Sequence, residues 1–230
     1  EELLFNLVRM VLMKLRSLRK NVVLKNLKNV FIKFNLIKKM VIDIIKSHCW
    51  KNILQIIVCL YVVYGLSQFL SIYNLFGIGY DYHPNIEYFI KIHYFTKYLD
   101  WFDTLFIILN NKTQKQLSFL HLFHHSTINI IWGFLIWLGH ANGTVFFGAF
   151  INSFIHILMY SHYLLTSFNI NNPFKKILTK LQIIQFYLCL LHSILILFYY
   201  KEISNYPIKL SWIQFLYQLC MIYLFTYRLK

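Results

Sequence analysis

Acidic side chains are scarce: 8 Asp and Glu stand against 23 Lys and Arg in 230 residues. Charge of either sign is thin, at 13% of residues where a soluble domain carries about 25%. Together with a 58% hydrophobic and 19% aromatic content, this excludes an ordinary water-soluble fold and points to a polytopic membrane protein. Gly and Pro number only 7 and 3, so the helix pairs interrupted by Gly or Pro that mark many transporters are missing, as are internal repeats. The four cysteines, Cys49, Cys59, Cys189 and Cys220, lie far apart. Their spacing contains no CxxC and no zinc-ligand pattern, so neither a zinc site nor a disulfide is expected.

The excess of positive charge is unevenly placed. Twelve of the 23 Lys and Arg fall between Arg9 and Lys51, interleaved with Leu, Ile, Val and Phe. Ahead of a membrane body, such a segment reads as a basic amphipathic stretch against an anionic leaflet rather than a nucleic-acid arm. The chain opens on Glu1 without a start Met or a signal peptide, so the numbering is expected to begin inside a longer precursor.

Six apolar runs approach the roughly 20 residues that cross a bilayer: Asn52–Phe76, Phe89–Leu109, Leu117–Leu138, Val145–Phe168, Ile177–Tyr200 and Ile208–Tyr227. The expected fold is therefore all-α, a transmembrane bundle of six clear spans. Residues 1–51 form a separate basic segment in which a degenerate seventh span is left open. Basic residues collect in the segment before the first span, at Lys112 and Lys115, at Lys175 to Lys180, and at the C-terminal end. The positive-inside rule places these loops in the cytosol.

Within the spans, polar residues fall in stripes at helical spacing. Lys97, Asp100, Asp103 and Thr104 share one face of the second run. His121, His124 and His125 do so in the third, and Asn152, His156 and Tyr160 in the fourth. Thr179, Gln182, Gln185 and His192 do so in the fifth. Ionisable and amide groups are costly against lipid, so four striped helices are expected to face one another around a polar cavity. From the span directions, all four stripes are expected at similar depth, in the cytosolic half. His48, His83, His93 and His140 lie at span ends or in loops and are expected to be solvated.

These stripes carry four boxes: Lys97-x-x-Asp100-x-x-Asp103-Thr104, His121-x-x-His124-His125, Asn152-x-x-x-His156-x-x-Met159-Tyr160, and Thr179-x-x-Gln182-x-x-Gln185. In this order, on successive helices, they resemble the boxes of the ELO family of very-long-chain fatty acid elongases, over roughly Asn52 to Lys230. There are three departures. Asp100 stands where the family usually has Glu, and His162 where an aromatic is common. The first of the family's seven spans would have to lie in the lysine-laced segment 1–51.

The resemblance implies a condensing enzyme of the endoplasmic reticulum membrane. It would join a long-chain acyl-CoA to malonyl-CoA, giving 3-ketoacyl-CoA, carbon dioxide and CoA, without a metal or other cofactor. It further implies His124 as the nucleophile, forming an acyl-imidazole, and His156 as its partner or as base and donor for the malonyl half. His121 and His125 would complete the donor shell, Asn152 would bond a developing oxyanion, and Asp100 or Asp103 would orient an imidazole. Lys97, Lys175, Lys176 and Lys180 are the expected partners of the CoA phosphates. Thr104, Tyr160, Thr179, Gln182, Gln185 and His192 are expected to contact substrate. Partner enzymes would be the ketoacyl reductase, dehydratase and enoyl reductase of the elongation cycle. The rival reading, a di-iron desaturase or hydroxylase, also uses HxxHH. It needs about eight histidines in three clusters, whereas this chain offers one cluster and no separate HxxxH box.

Overall fold

In the computed structural model, residues 49–78, 82–109, 113–170, 173–199 and 207–228 are described, with backbone alone at Lys115, Gln116, Lys176 and Arg228. The expectation of a degenerate span or amphipathic segment at 1–51 therefore lies almost wholly outside the described residues. Every regular element described is a helix: α1 Cys49–Ser67, α2 Ile72–Phe76, α3 Pro84–Leu109, α4 Thr113–Gln116, α5 Phe119–Trp137, α6 Val145–Ser167, α7 Lys175–Phe198 and α8 Ile208–Arg228. A helix satisfies all its own interior backbone groups, which is what an apolar solvent demands.

Five of these helices, α1, α5, α6, α8 and the Ile177–Phe198 part of α7, are long and apolar enough to cross a membrane. The sixth expected span is α3. It has 26 residues but carries Glu87, Lys91, Lys97, Asp100 and Asp103, too many charges to qualify on composition alone. Its two central charges are hidden from lipid: Lys97 is 1% and Asp100 2% exposed. Large apolar side chains such as Ile57, Tyr64 and Ile130 face outward, and Phe119 and Trp137 mark the two ends of α5. Such a surface suits acyl chains with aromatics at the interfaces, and the chain is a multi-pass membrane protein.

The first expected run does not form a single span. α1 ends at Ser67, and a new N-cap opens at Ser71, whose hydroxyl accepts from the Asn74 backbone N–H at 3.2 Å. α2 then stops one turn later at Gly77, whose φ of 68° lets the chain turn back, its N–H bonding to the Tyr73 carbonyl. Asn74 Nδ2 closes the break by donating to the Phe69 carbonyl at 2.9 Å.

The six long helices pack in a ring, each touching the next, in the order α1, α3, α5, α8, α7, α6 and back to α1, with α3 also reaching α6 across it. Hydrogen bonds mark the two faces. On the near face Cys49 Sγ and Ser167 Oγ are 3.2 Å apart, joining the start of α1 to the end of α6. On the far face Asn142 Nδ2 donates to the His83 carbonyl at 2.7 Å. The apolar core formed by Val62, Leu66, Ile90, Trp132, Phe146 and Ala149 fills the far part of the ring. That leaves polar side chains for the near part. Gly65 is needed where α1 meets α3, because a Cβ there would lie 2.1 Å from the Phe89 ring.

Candidate active site

The α3 stripe is held by groups from three helices. Asp100 accepts from the Tyr160 hydroxyl of α6 at 2.7 Å and from Gln55 Nε2 of α1. Asp103 lies 2.7 Å from the same Tyr160 hydroxyl, whose single proton the two acids share, and accepts from Lys51 Nζ at 2.5 Å. Lys51 also lies 3.9 Å from the centre of the Tyr160 ring. Lys97 Nζ is 3.8 Å from Asp100 and donates to Asn152 Oδ1 at 2.5 Å. His156 Nδ1 is 3.8 Å from the Asp100 carboxylate. Two cations thus face two carboxylates inside the ring, and Tyr160 bridges both acids. Such a cluster compensates its own charge, the condition for keeping ionised groups away from water.

Sequence spacing did not disclose the α1 members. Lys51, counted with the basic amphipathic segment expected against the leaflet, is instead fully buried, and Gln55 is buried beside it. Their i, i+4 spacing at the start of the first span was the available signal.

The histidines of α5 start just inside the near face, because Ser118 caps that helix by accepting from the His121 N–H at 3.2 Å. His121 and His125 rings lie 4.2 Å apart between centres, and Thr104 of α3 contacts His121 Nε2 at 2.8 Å. His124 turns the other way, toward Phe186 of α7 and Tyr217 of α8, with Nδ1 3.2 Å from the Tyr217 hydroxyl. The proton on that nitrogen follows from the neighbours. The single Thr127 hydroxyl proton goes to the Phe123 carbonyl at 2.6 Å, so the Tyr217 hydroxyl is the donor in its 3.4 Å contact with Thr127. With Tyr217 donating to Thr127, its oxygen is free to accept from His124 Nδ1–H, the arrangement that leaves the His124 lone pair on Nε2.

His124 lines a cavity enclosed by α5, α6, α7 and α8. Asn152, Gln185, Tyr217 and Gln218 give it a polar end; Ile128, Trp132, Leu135, Val145, Cys189 and Leu210 line most of the rest, with Gln214 among them beside Cys189. Asn152 belongs both to this cavity and, through Lys97, to the acidic cluster. It therefore joins the two halves of the site.

Other expected site residues are placed differently. His192 is buried, but beyond Gln185 by seven residues, about 10 Å along α7. There it bonds the Leu75 carbonyl at 2.7 Å between the rings of Phe76 and Phe147, so it ties α2 to the far half of the bundle instead of joining the histidines. The expected common depth of the four stripes thus fails at this residue. Thr179 donates to the Lys175 carbonyl of its own helix, and Gln182 to the Met159 sulfur. Lys175 and Lys180 are exposed at the near end of α7; the Lys176 side chain lies outside the described residues. His93, expected to be solvated, is fully buried, 2.8 Å from Ser153 Oγ and edge-on to Trp132. It extends the α3 stripe by one turn before Lys97. His162 packs beside Tyr163, away from the cavity. Among the described residues, no three His, Cys, Asp or Glu side chains are arranged to hold a metal ion, so the di-iron reading finds no donor set there.

Comparison with known proteins agrees with the four boxes. The model of the ELO: GNS1/SUR4 family matches residues 4–227. Fatty acid elongase 5 of Leishmania major is 48% identical over 176 residues, covering 76% of this chain and 68% of the relative. Fatty acid elongase 4 of Trypanosoma brucei brucei is 46% identical over 178 residues, 76% of this chain and 67% of its own. Very long chain fatty acid elongase 4 of Homo sapiens is 38% identical over 143 residues, 58% of this chain and 42% of its own. With a family model spanning nearly its whole length, and with buried carboxylates, amides and imidazoles where the boxes fall, this chain belongs to the ELO (GNS1/SUR4) family.

Proposed function

We propose that this protein is a fatty acid elongase of the endoplasmic reticulum membrane, condensing a long-chain acyl-CoA with malonyl-CoA. The observation that carries the reading is Asn152, shared between an apolar cavity fit for an acyl chain and a charged cluster fit for a polar reaction. In the first half-reaction, His124 Nε2 attacks the thioester carbonyl. CoA leaves as thiolate, and the acyl group is held as an acyl-imidazole. In the second, malonyl-CoA loses carbon dioxide, and the resulting enolate carbon attacks the acyl carbonyl, breaking the C–N bond and returning His124. The product is 3-ketoacyl-CoA.

The developing oxyanion needs donors. Asn152 supplies its Nδ2, because its Oδ1 is engaged by the Lys97 ammonium, which also polarises the amide. His156, facing Asp100, is the group for the malonyl half, and His121 and His125 are further donors. Thr104 and Tyr160 position these groups, and Gln185 lines the entry to the cavity. Lys175 and Lys180, exposed on the near face, suit the phosphates of CoA, and Lys176 is assigned with them. The reaction requires the two thioesters and no metal. Its ketoacyl product would pass to a reductase, a dehydratase and an enoyl reductase.

The test is to incubate purified protein with acyl-CoAs of graded length and labelled malonyl-CoA and to identify the products. Labelled 3-ketoacyl-CoA is expected, together with its loss in His124→Ala. A His124→Ala protein of full activity would remove this histidine from its role. An inactive wild type carrying stoichiometric iron would return the di-iron reading.

A further inference from the structure

Five of the described glycines have a visible reason to be glycine, Gly77 and Gly143 through their φ of 68° and 61°. Gly65 lies under the Phe89 ring, Gly133 would bring a Cβ within 2.7 Å of the Tyr94 hydroxyl, and Gly139 has a φ of 74°. Gly148 has none of these reasons. It lies within α6, it is absent from the residues of positive φ, and a Cβ built on it meets nothing within 4 Å. Glycine inside a helix is otherwise disfavoured, since it loses more backbone freedom than any other residue on ordering. What Gly148 contributes is empty space, and that space belongs to the cavity it lines.

Its position gives the space a meaning. Gly148 precedes Asn152 by four residues, so it shares the face of Asn152 and lies one turn further from the near face. On the helices facing α6 the same cavity is lined by Trp132 of α5, Cys189 of α7 and Ile213 of α8. Leu135, Val145 and Leu210 line the cavity beyond Gly148. From His124 to Leu135 is eleven residues of α5, about 16 Å of rise. A side chain at 148 would project into the passage between the reacting end and the remainder.

We infer that Gly148 is a specificity-determining residue: by leaving out a side chain, it admits acyl tails past the level of Trp132 and Cys189, and so sets the longest acyl-CoA the site accepts. The inference rests on the elongase reading for its substrate, but the passage itself can be probed without turnover.

The experiment uses the full chain in detergent or liposomes, as wild type, Gly148→Ala, Gly148→Val and Gly148→Phe, with Cys189→Trp as a block from the opposite wall. Two readouts are taken against acyl-CoA length: the yield of labelled 3-ketoacyl-CoA, and the binding of the acyl-CoA alone. Both cut-offs are expected to shift to shorter chains as the side chain grows. For the longest chain that wild type accepts, a loss of about tenfold or more is expected in Gly148→Phe, with far less for the shortest. Gly148→Ala adds one methyl to open space and should unfold thermally as wild type does. Cys189→Trp should shorten the profile in the same sense.

An unchanged length profile across folded variants overturns the inference, as does an equal loss at every length. If wild type binds long acyl-CoAs without forming product, the condensation reading fails alone, and the binding cut-off still decides the role of Gly148. If wild type does not bind acyl-CoA at all, both fail.

Discussion

The tautomer of His124 is fixed by side chains that have no acid–base role of their own. Thr127 and Tyr217 can pass one hydrogen-bond direction from the Phe123 carbonyl to His124 Nδ1, leaving the Nε2 lone pair for the nucleophilic role proposed above. Tyr217→Phe removes the acceptor and lets the proton move to Nε2. We expect kcat to fall about tenfold or more with little change in KM, and His124→Ala to lose activity outright. A rise in KM at unchanged kcat would deny the positioning role. Nothing in the sequence pointed to Tyr217, because α8 carries no stripe that stands apart from its many aromatics. The i, i+3, i+4 triplet on α5 was legible, but not that His124 turns to α8 while His121 and His125 turn to α3. Lys51 teaches a related point. As the last of twelve cations in a basic stretch it read as part of a segment against the anionic leaflet, yet it is buried against Asp103 and Tyr160. Lys51→Met should destabilise the protein by about 2–3 kcal/mol, and adding Asp103→Asn should recover part of that, measured by thermal unfolding in detergent.

Among the elements, α1 and α7 show where periodicity misleads. Asn52–Phe76 is apolar throughout, and Ser71 with Gly77 punctuates it only locally, so the break after Ser67 was invisible to a hydropathy reading. In α7, Gln185 and His192 share a face seven residues apart, and face alone assigned both to the site. Depth separates them, since His192 holds the Leu75 carbonyl of the segment created by that break. His192→Ala should cost about 1–2 kcal/mol of stability through the lost bond and its aromatic contacts, while kcat per folded molecule holds. A large fall in kcat at unchanged stability would return His192 to the substrate site. The α1–α3 contact is similarly specific. Gly65→Ala should displace the Phe89 ring and lower the unfolding temperature, and Phe89→Ala in the same chain should restore packing space. If the double variant is no more stable than expected from the two single changes, the clash is not the cause.

On the scale of the molecule, helical class, membrane character and five of the six spans were readable from composition and run length, because a bilayer imposes one length and one polarity on whatever crosses it. The ring order was not, since no periodicity tells which striped helix neighbours which. α3 was recognised as a span from the length of its run, and the inward facing expected of its charged stripe is met by Lys97 and Asp100. That burial depends on α1, whose Lys51 and Gln55 meet Asp103 and Asp100. A Lys or Asp near the centre of an isolated helix costs about 3 kcal/mol on entering the bilayer, and α3 holds two such residues, Lys97 and Asp100, with Asp103 one turn further on. During synthesis, then, α3 should be a poor passenger for the insertion machinery until the preceding helix is already in place to receive it. Glycan acceptor sites flanking α3 would report this. Crossing should be efficient in the natural chain and sharply reduced when Lys51 and Gln55 are both replaced by leucine, so that one early pair of side chains decides the threading of everything downstream.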